Sequence, residues 1–249
     1  MVSINIPTDK SISEETLESV KNQTYKDIEL ITIVTSESLS VARKQGIDRS
    51  KGEYIMLLDS DQSLSPDTIE KCVETCEQGY DGVTLFEKSK VTGNTFCERI
   101  IAYDKWLFHS LQDDDPIHGT AIPRFFRASI LKKIDYPKNP PLTFEHSIIH
   151  NEFVKLGGKV KFINSFIYHN EPKTFRELFK KFKRYGYYYI PALKVDKNLV
   201  LHHSLPRRAY FTKKAFKHPM LWLGLIYHYG VKGAAAMVGI TQWFFRKEK

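Results

Sequence analysis

The sequence predicts an α/β fold: a mostly parallel sheet flanked by helices, followed by a basic, amphipathic helical appendage. Two observations predict the body. Short apolar, β-branched runs alternate with stretches of helical spacing over the first 86 residues, as right-handed βαβ crossovers require. The most apolar of these runs, residues 54–58, ends in two aspartates, Asp59 and Asp61, at the strand end where open parallel sheets receive ligands. A third observation, the charge, predicts the appendage. Residues 1–170 carry 20 Lys/Arg and 25 Asp/Glu, whereas residues 171–249 carry 17 and 4, a change from −5 to +13.

The elements follow in order. Residues 2–6 alternate and run into Pro7 and Thr8, a strand ending in a loop. Residues 13–23 have helical spacing, with Ser13 as N-cap and Glu14 and Glu15 favourable to the first turn. A β-branched strand covers 28–34 and a short helix 41–50. Then come the central strand, a helix over 66–78 and a strand over 82–86. Helical spacing returns at 100–111, and Asp113, Asp114 and Asp115 read as an exposed loop because adjacent carboxylates repel, with a role at the acceptor or metal as the alternative. Cys72, Cys76 and Cys97 are too few and wrongly spaced for a zinc site and read as small buried residues of a reducing compartment. The chain enters its first strand at once, so no export signal is expected there.

Asp59 and Asp61 stand at i and i+2 with small Ser60 between them. In extended chain this spacing puts both carboxylates on one face, and two hard oxygen ligands suit Mg²⁺ or Mn²⁺. The alternative is a turn at Asp59 and a helix cap at Asp61.

Four pieces, VSINIPT, LESVKNQTYKDIELITIV, ARKQGI and SKGEYIMLLDSDQSLSPD, agree in order and spacing with the nucleotide-binding half of family 2 glycosyltransferases over residues 2–64. The resemblance implies a GT-A-like, Rossmann-type sheet and transfer of a hexose from a nucleotide-sugar, usually with inversion. It implies that Asp59 and Asp61 flank a divalent cation on the donor diphosphate, and that Pro7, Thr8 and Asp9 line the base and ribose. Arg43 falls where the family often has a basic residue near the donor. Lys44 stands where an Asn is common, and Ser60 completes the nucleotide-sugar-binding set. After the second strand the family often shows two acids. Here the loop reads Val34, Thr35, Ser36, Glu37, so UDP and GDP donors stay equally open.

In the family, the segment opening at residue 143 carries a Glu-Asp pair whose Asp is commonly the base. Here Glu145 matches the Glu, and His146 stands in the place of the Asp. Glu145 as base, His146 as base, and loss of the base all remain open; imidazole suits proton transfer near neutral pH. His169, just past a strand over 159–167, is placed to complete the metal site and as a ligand favours Mn²⁺. Arg124 and Arg127 read as structural or surface residues.

Residues 174–190 form a basic amphipathic helix with a stripe of Phe175, Leu178, Phe179 and Phe182, expected on a membrane surface or across an acceptor groove. It would bring Arg176, Lys183 or Arg184 near a lipid-linked phosphate. Residues 219–245 are apolar but interrupted by His228, Gly230, Lys232 and Gly233, and are expected as two short interfacial helices, with a single spanning helix or a soluble helical pair as the alternatives. Trp222, Tyr227, Tyr229 and Trp243 would lie at headgroup level and Arg246, Lys247 and Lys249 on phosphates.

Together these readings divide the chain into a catalytic domain, 1–170, and a membrane-associating region, 171–249. They predict a metal-dependent, inverting glycosyltransferase peripherally bound to the inner face of the cell membrane, in the cytoplasm. Its partners are a nucleotide-sugar, a lipid-linked or glycan acceptor and an anionic membrane surface, with no nucleic acid expected. The alternative is a catalytically impaired relative serving as a nucleotide- or glycan-binding module.

Overall fold

A computed structural model describes residues 1–9, 11–35, 38–112, 115–116, 122–137 and 141–247. Of the residues singled out above, Ser36, Glu37, Asp113, Asp114 and Lys249 lie outside these. The first half runs β1 (Val2–Thr8), α1 (Glu14–Lys21), β2 (Ile28–Val34), α2 (Leu39–Arg49), β3 (Tyr54–Leu57), β4 (Gln62–Leu64), α3 (Thr68–Glu77), β5 (Gly82–Lys90) and α4 (Phe96–His109). The second runs β6 (Pro123–Arg127), α5 (Ala128–Leu131), α6 (Glu145–Lys155), β7 (Val160–Asn170), α7 (Phe175–Tyr187), α8 (Tyr189–Val195), α9 (Lys197–Ser204) and α10 (Pro219–Lys247).

The chain forms two compact units. The first holds Met1–Glu87, Gln112–Pro140 and Glu145–His169; the second holds Lys88–Leu111, Pro141–Phe144 and Asn170–Lys249. The helix α4, which precedes residue 170 in sequence, belongs to the second unit.

The sheet has the strand order β2-β1-β3-β6-β5-β7-β4. Its nucleus is parallel, with β1 between β2 and β3. Beyond it three pairs are antiparallel: β3 with β6, β5 with β6, and β4 with β7. The sheet is therefore mixed, parallel where the βαβ alternation was read and antiparallel beyond it. The strand β4 lies where the sequence suggested only a turn.

Alternation along the strands sorts the core to two faces. Val2, Ile4, Ile6, Met56 and Phe125 pack with Ile69, Cys72 and Cys76 of α3 on one side. Ile55, Leu57 and Phe126 pack with Ile47 of α2 and Phe153 of α6 on the other. Burial on both faces explains why residues 54–58 read as a continuous apolar run rather than an alternating one. All three cysteines are buried, and burial pushes the Cys76 thiol up to about 12.

The second unit is helical. Thr95 opens α4 with a reciprocal capping box to Glu98. Ile100, Tyr103 and Leu107 of α4 meet Tyr210 and Leu225. The carboxylate of Asp104 accepts from the Tyr210 hydroxyl at 2.7 Å, the Tyr229 hydroxyl at 3.1 Å and Lys232 Nζ at 3.2 Å. Thus Lys232 and Tyr229 of α10 are turned toward α4, and Trp222 Nε1 donates to the Tyr210 carbonyl at 3.0 Å.

Two sequence expectations change here. The tail is one helix of 29 residues, not two, because Gly230 and Gly233 stay helical. No helix among the described residues is long and apolar enough to cross a membrane. The apolar stripe of α7 is also covered within its own unit, where Leu178, Phe175 and Phe182 pack with Cys97, Ile101 and Val231. The α7–α10 crossing is tight because two glycines allow it. A Cβ on Gly186 would stand 2.2 Å from the Ala236 carbonyl oxygen, and one on Gly239 would stand 2.0 Å from that of Lys183.

Candidate active site

The first unit gathers charge at the carboxyl ends of β1 and β3. After β3 the chain turns at once: the Gln62 amide donates to the Asp59 carbonyl at 3.1 Å, and the Asp59 amide donates to Gln62 Oε1 at 3.0 Å. The Ser60 carbonyl accepts from the Ser13 amide at 3.0 Å and from Thr16 Oγ1 at 3.1 Å, which fastens the turn to the start of α1. Ser13 also caps α1 by accepting from the Thr16 amide. At the end of β1, Pro7 and Thr8 are buried, Asp9 is exposed, and the Thr8 carbonyl accepts from the Thr35 amide at 2.9 Å.

Arg43 is the centre of the cluster. Its place on α2 is fixed by Asn5 of β1, whose Nδ2 donates to the Arg43 carbonyl at 2.7 Å. Gly46 lets the helix lie close, since a Cβ there would stand 2.0 Å from Asn5 Oδ1. The buried guanidinium donates from Nη2 to Asp59 Oδ1 at 2.8 Å and from Nε to Glu145 Oε1 at 3.2 Å. Its Nη1 is buried and has no hydrogen-bond partner among the described residues. Burial opposes the charge, but Glu145 and Asp59 outweigh it and hold the arginine pKa above its ordinary value. Lys44, one residue on, is directed differently and pairs with Asp48 at 2.5 Å.

Arg124 closes the other side of Asp59. Its Nη1 donates to Asp59 Oδ2 at 3.4 Å and to His146 Nε2 at 2.5 Å, and its Nη2 lies 3.9 Å from Glu87. The sequence reading set Arg124 aside; the structure brings it into the cluster. The reason is the β3–β6 pairing, which sets Phe125 opposite Met56 in antiparallel register and carries the start of β6 to the end of β3. Burial favours a neutral Asp59, but Arg124 and Arg43 overcome it and hold its carboxyl well below the usual range.

Glu145 opens α6 and is buried. Besides Arg43 it accepts a short hydrogen bond from the Tyr136 hydroxyl, which also lies 3.0 Å from the Ser40 carbonyl. Neither Tyr136 nor this pairing was legible in the sequence. His146 is partly exposed, and its Nε2 is 3.9 Å from Asp59 Oδ1. Burial, then Arg124 and Arg43, pull its pKa down to about 4, so the ring is neutral at pH 7. Accepting at Nε2 leaves the ring proton on Nδ1.

Beside the β4–β7 pair, Asp61 Oδ2 lies 3.5 Å from His169 Nε2. His169 Nδ1 is 4.0 Å from Glu87 Oε1. Asp61 is half exposed. The two carboxylates thus face opposite ring nitrogens and do not converge on one point; Asp61 with His169 Nε2 is a carboxylate–imidazole pair whose chemistry suits Mn²⁺. Both oxygens of Asp59, by contrast, already face arginines. Arg176, Lys183 and Arg184 lie on α7 in the second unit, the two arginines exposed and Lys183 half-buried.

Residues 32–135 match the model of glycosyl transferase family 2. No curated protein matches the chain. Among solved structures, a mannosyltransferase from Pyrobaculum calidifontis, PcManGT, in complex with GDP-Man and Mn²⁺, is 14% identical with a TM-score of 0.56. That match covers 94% of this chain and 73% of PcManGT. S. aureus TarS 1-349 in complex with UDP-GlcNAc is 14% identical with a TM-score of 0.51, over 90% of this chain and 78% of that one. Against S. aureus TarS the identity is 12% and the TM-score 0.50, and the match spans 47% of that protein, about half its length. At such identities the likeness is one of fold. The family model over residues 32–135 and the fold over most of the chain together show the resemblance to family 2 glycosyltransferases of GT-A type.

Proposed function

We propose that this protein is a nucleotide-sugar-dependent, inverting hexosyltransferase. The observation that carries the reading is the convergence of Arg43, Arg124, Asp59 and His146 at the carboxyl end of β3, inside or beside the segment that matches the family model. The donor is a UDP- or GDP-sugar, the nucleotides bound by the TarS and PcManGT structures. Pro7, Thr8 and Asp9 receive the nucleoside with Ser60 beside them, and Arg43 and Lys44 lie on the helix that follows.

Asp61 and His169 would hold Mn²⁺, or Mg²⁺, which when bound neutralises charge on the leaving diphosphate. Arg124 and the unpartnered Nη1 of Arg43 supply further positive charge where the leaving group forms. Glu145, buried between Arg43 and Tyr136, positions Arg43. His146 is the proton acceptor. Arg124 leaves its Nε2 to meet the diphosphate, and the freed lone pair takes the proton of the acceptor hydroxyl. The acceptor oxygen bonds to the anomeric carbon from the face opposite the phosphate, the anomeric C–O bond breaks, and the nucleoside diphosphate departs. The acceptor is a glycan, free or lipid-linked.

The test is release of nucleoside diphosphate from UDP- and GDP-sugars with Mn²⁺. His146→Ala is expected to lose turnover while keeping donor binding, and Glu145→Gln to weaken both. A second reading, a binding module without turnover, is favoured by one observation: a histidine held near pKa 4 is a weak base. Donor binding without turnover in the wild-type protein would select it.

A further inference from the structure

The second unit carries a surface that the proposed reaction does not use. The face of α10 away from α4 and α7 is apolar along the helix except at Thr241. Met220, Leu223, Ile226, Met237, Phe244 and Phe245 are each between 53% and 70% exposed. Spacings of three and four, closed by Tyr227, Gly230, Ala234 and Thr241, place them on one stripe. Gly230 and Gly233 have nothing within 4 Å of a would-be Cβ, so the stripe is open at its middle as well. Between residues 219 and 245 the one Lys, Arg, Asp or Glu is Lys232, and it is directed to Asp104. A surface this long without a charge is rare on a protein that meets only water.

Charge stands at both ends instead. Lys213, Lys214 and Lys217 are exposed just before the helix, and Arg246 is exposed in its last turn. Residues 171–249 carry a net +13. We propose that α10 lies in the plane of an anionic membrane surface, its outer stripe among the acyl chains and its flanking lysines and arginine on lipid phosphates. The same charge disfavours a second copy, since two such surfaces would repel. The stripe has no cations with which to follow a nucleic acid backbone. Trp222 and Tyr229, bonded inward, take no part, so the contact differs from the aromatic set read from the sequence. The inference stands on α10 and is independent of the reaction proposed above.

The experiment is sedimentation of the full chain with vesicles of phosphatidylcholine alone or of phosphatidylcholine and phosphatidylglycerol in equal parts. The wild-type protein is expected to sediment with the anionic vesicles and less with the neutral ones. Leu223→Glu/Ile226→Glu/Met237→Glu is expected to weaken binding about tenfold or more, with an unchanged circular dichroism spectrum because the three side chains are exposed. Neutralising Lys213, Lys214 and Lys217 weakens it by about fivefold each and removes most of its salt dependence. The proposal is overturned if the wild-type protein stays in solution, or if the triple variant binds as well as wild type. It is equally overturned if the wild-type protein is a dimer that the triple variant breaks.

Discussion

Arg43 Nη2 stands 2.8 Å from Asp59 Oδ1, and this pair joins α2 to the end of the central strand β3. The same guanidinium neutralises Glu145, so one side chain holds two carboxylates. Removing a single partner of a buried pair leaves an uncompensated charge, which costs more than the pair contributes. Arg43→Met is therefore expected to destabilise the protein by about 3–5 kcal/mol, read as a lower urea midpoint. Arg43→Lys keeps the charge but cannot reach both carboxylates, and its midpoint falls between the two.

The acid limb of the stability curve follows from His146 and Asp59. His146 is held near pKa 4 in the folded state, below its ordinary 6.5, so between these values the unfolded chain binds the extra proton. Stability rises with pH across that window and falls as pH drops from 6.5 to 4, by roughly 3 kcal/mol at most. Asp59 is depressed below 3.8 and continues the loss at lower pH. Urea midpoints measured from pH 4 to 7 are expected to slope upward in the wild-type protein and to flatten in His146→Gln. An unchanged slope in the variant would assign the effect elsewhere.

Four glycines of the second unit separate into two classes. Gly239→Leu drives a side chain against the Lys183 carbonyl and is expected to cost at least about 1–3 kcal/mol. Gly230→Ala and Gly233→Ala meet nothing within 4 Å and are expected to stabilise α10 by about 0.5–1 kcal/mol each. Thermal melts of Gly186→Ala, Gly239→Leu, Gly230→Ala and Gly233→Ala should rank in that sense.

Asp104 is the shared acceptor for Tyr210, Tyr229 and Lys232. Asp104→Ala strands the lysine and two hydroxyls and is expected to cost about 3 kcal/mol or more. Asp104→Ala with Lys232→Met removes the stranded charge and recovers part of the loss, as a double-mutant cycle would show.

The parallel nucleus was legible because its signals are local. Residues 28–34 form β2 with the bounds read from the sequence, Ser13 caps α1, and residues 54–57 form β3. The meeting of Asp61 with His169 was legible only through the family resemblance. Arg124, Glu87 and Tyr136 were not legible, because pairings between distant segments bring them in. Antiparallel β3–β6 register delivers Arg124 to Asp59 across 65 residues of chain, and no local pattern marks it. The single tail helix was missed because two glycines and a lysine look like an interruption. Open space at the glycines and a carboxylate on α4 for the lysine make all three tolerable within one helix.

The central claim is that the cluster after β3 receives a nucleotide-sugar with a divalent cation. Titration calorimetry of the full chain with UDP-GlcNAc and GDP-mannose, with and without Mn²⁺, tests it most directly. The account predicts that one donor binds, that Mn²⁺ strengthens its binding, and that Asp61→Ala abolishes the Mn²⁺ effect while leaving the fold intact. Absence of binding by either donor at millimolar concentration, with or without the metal, would contradict it.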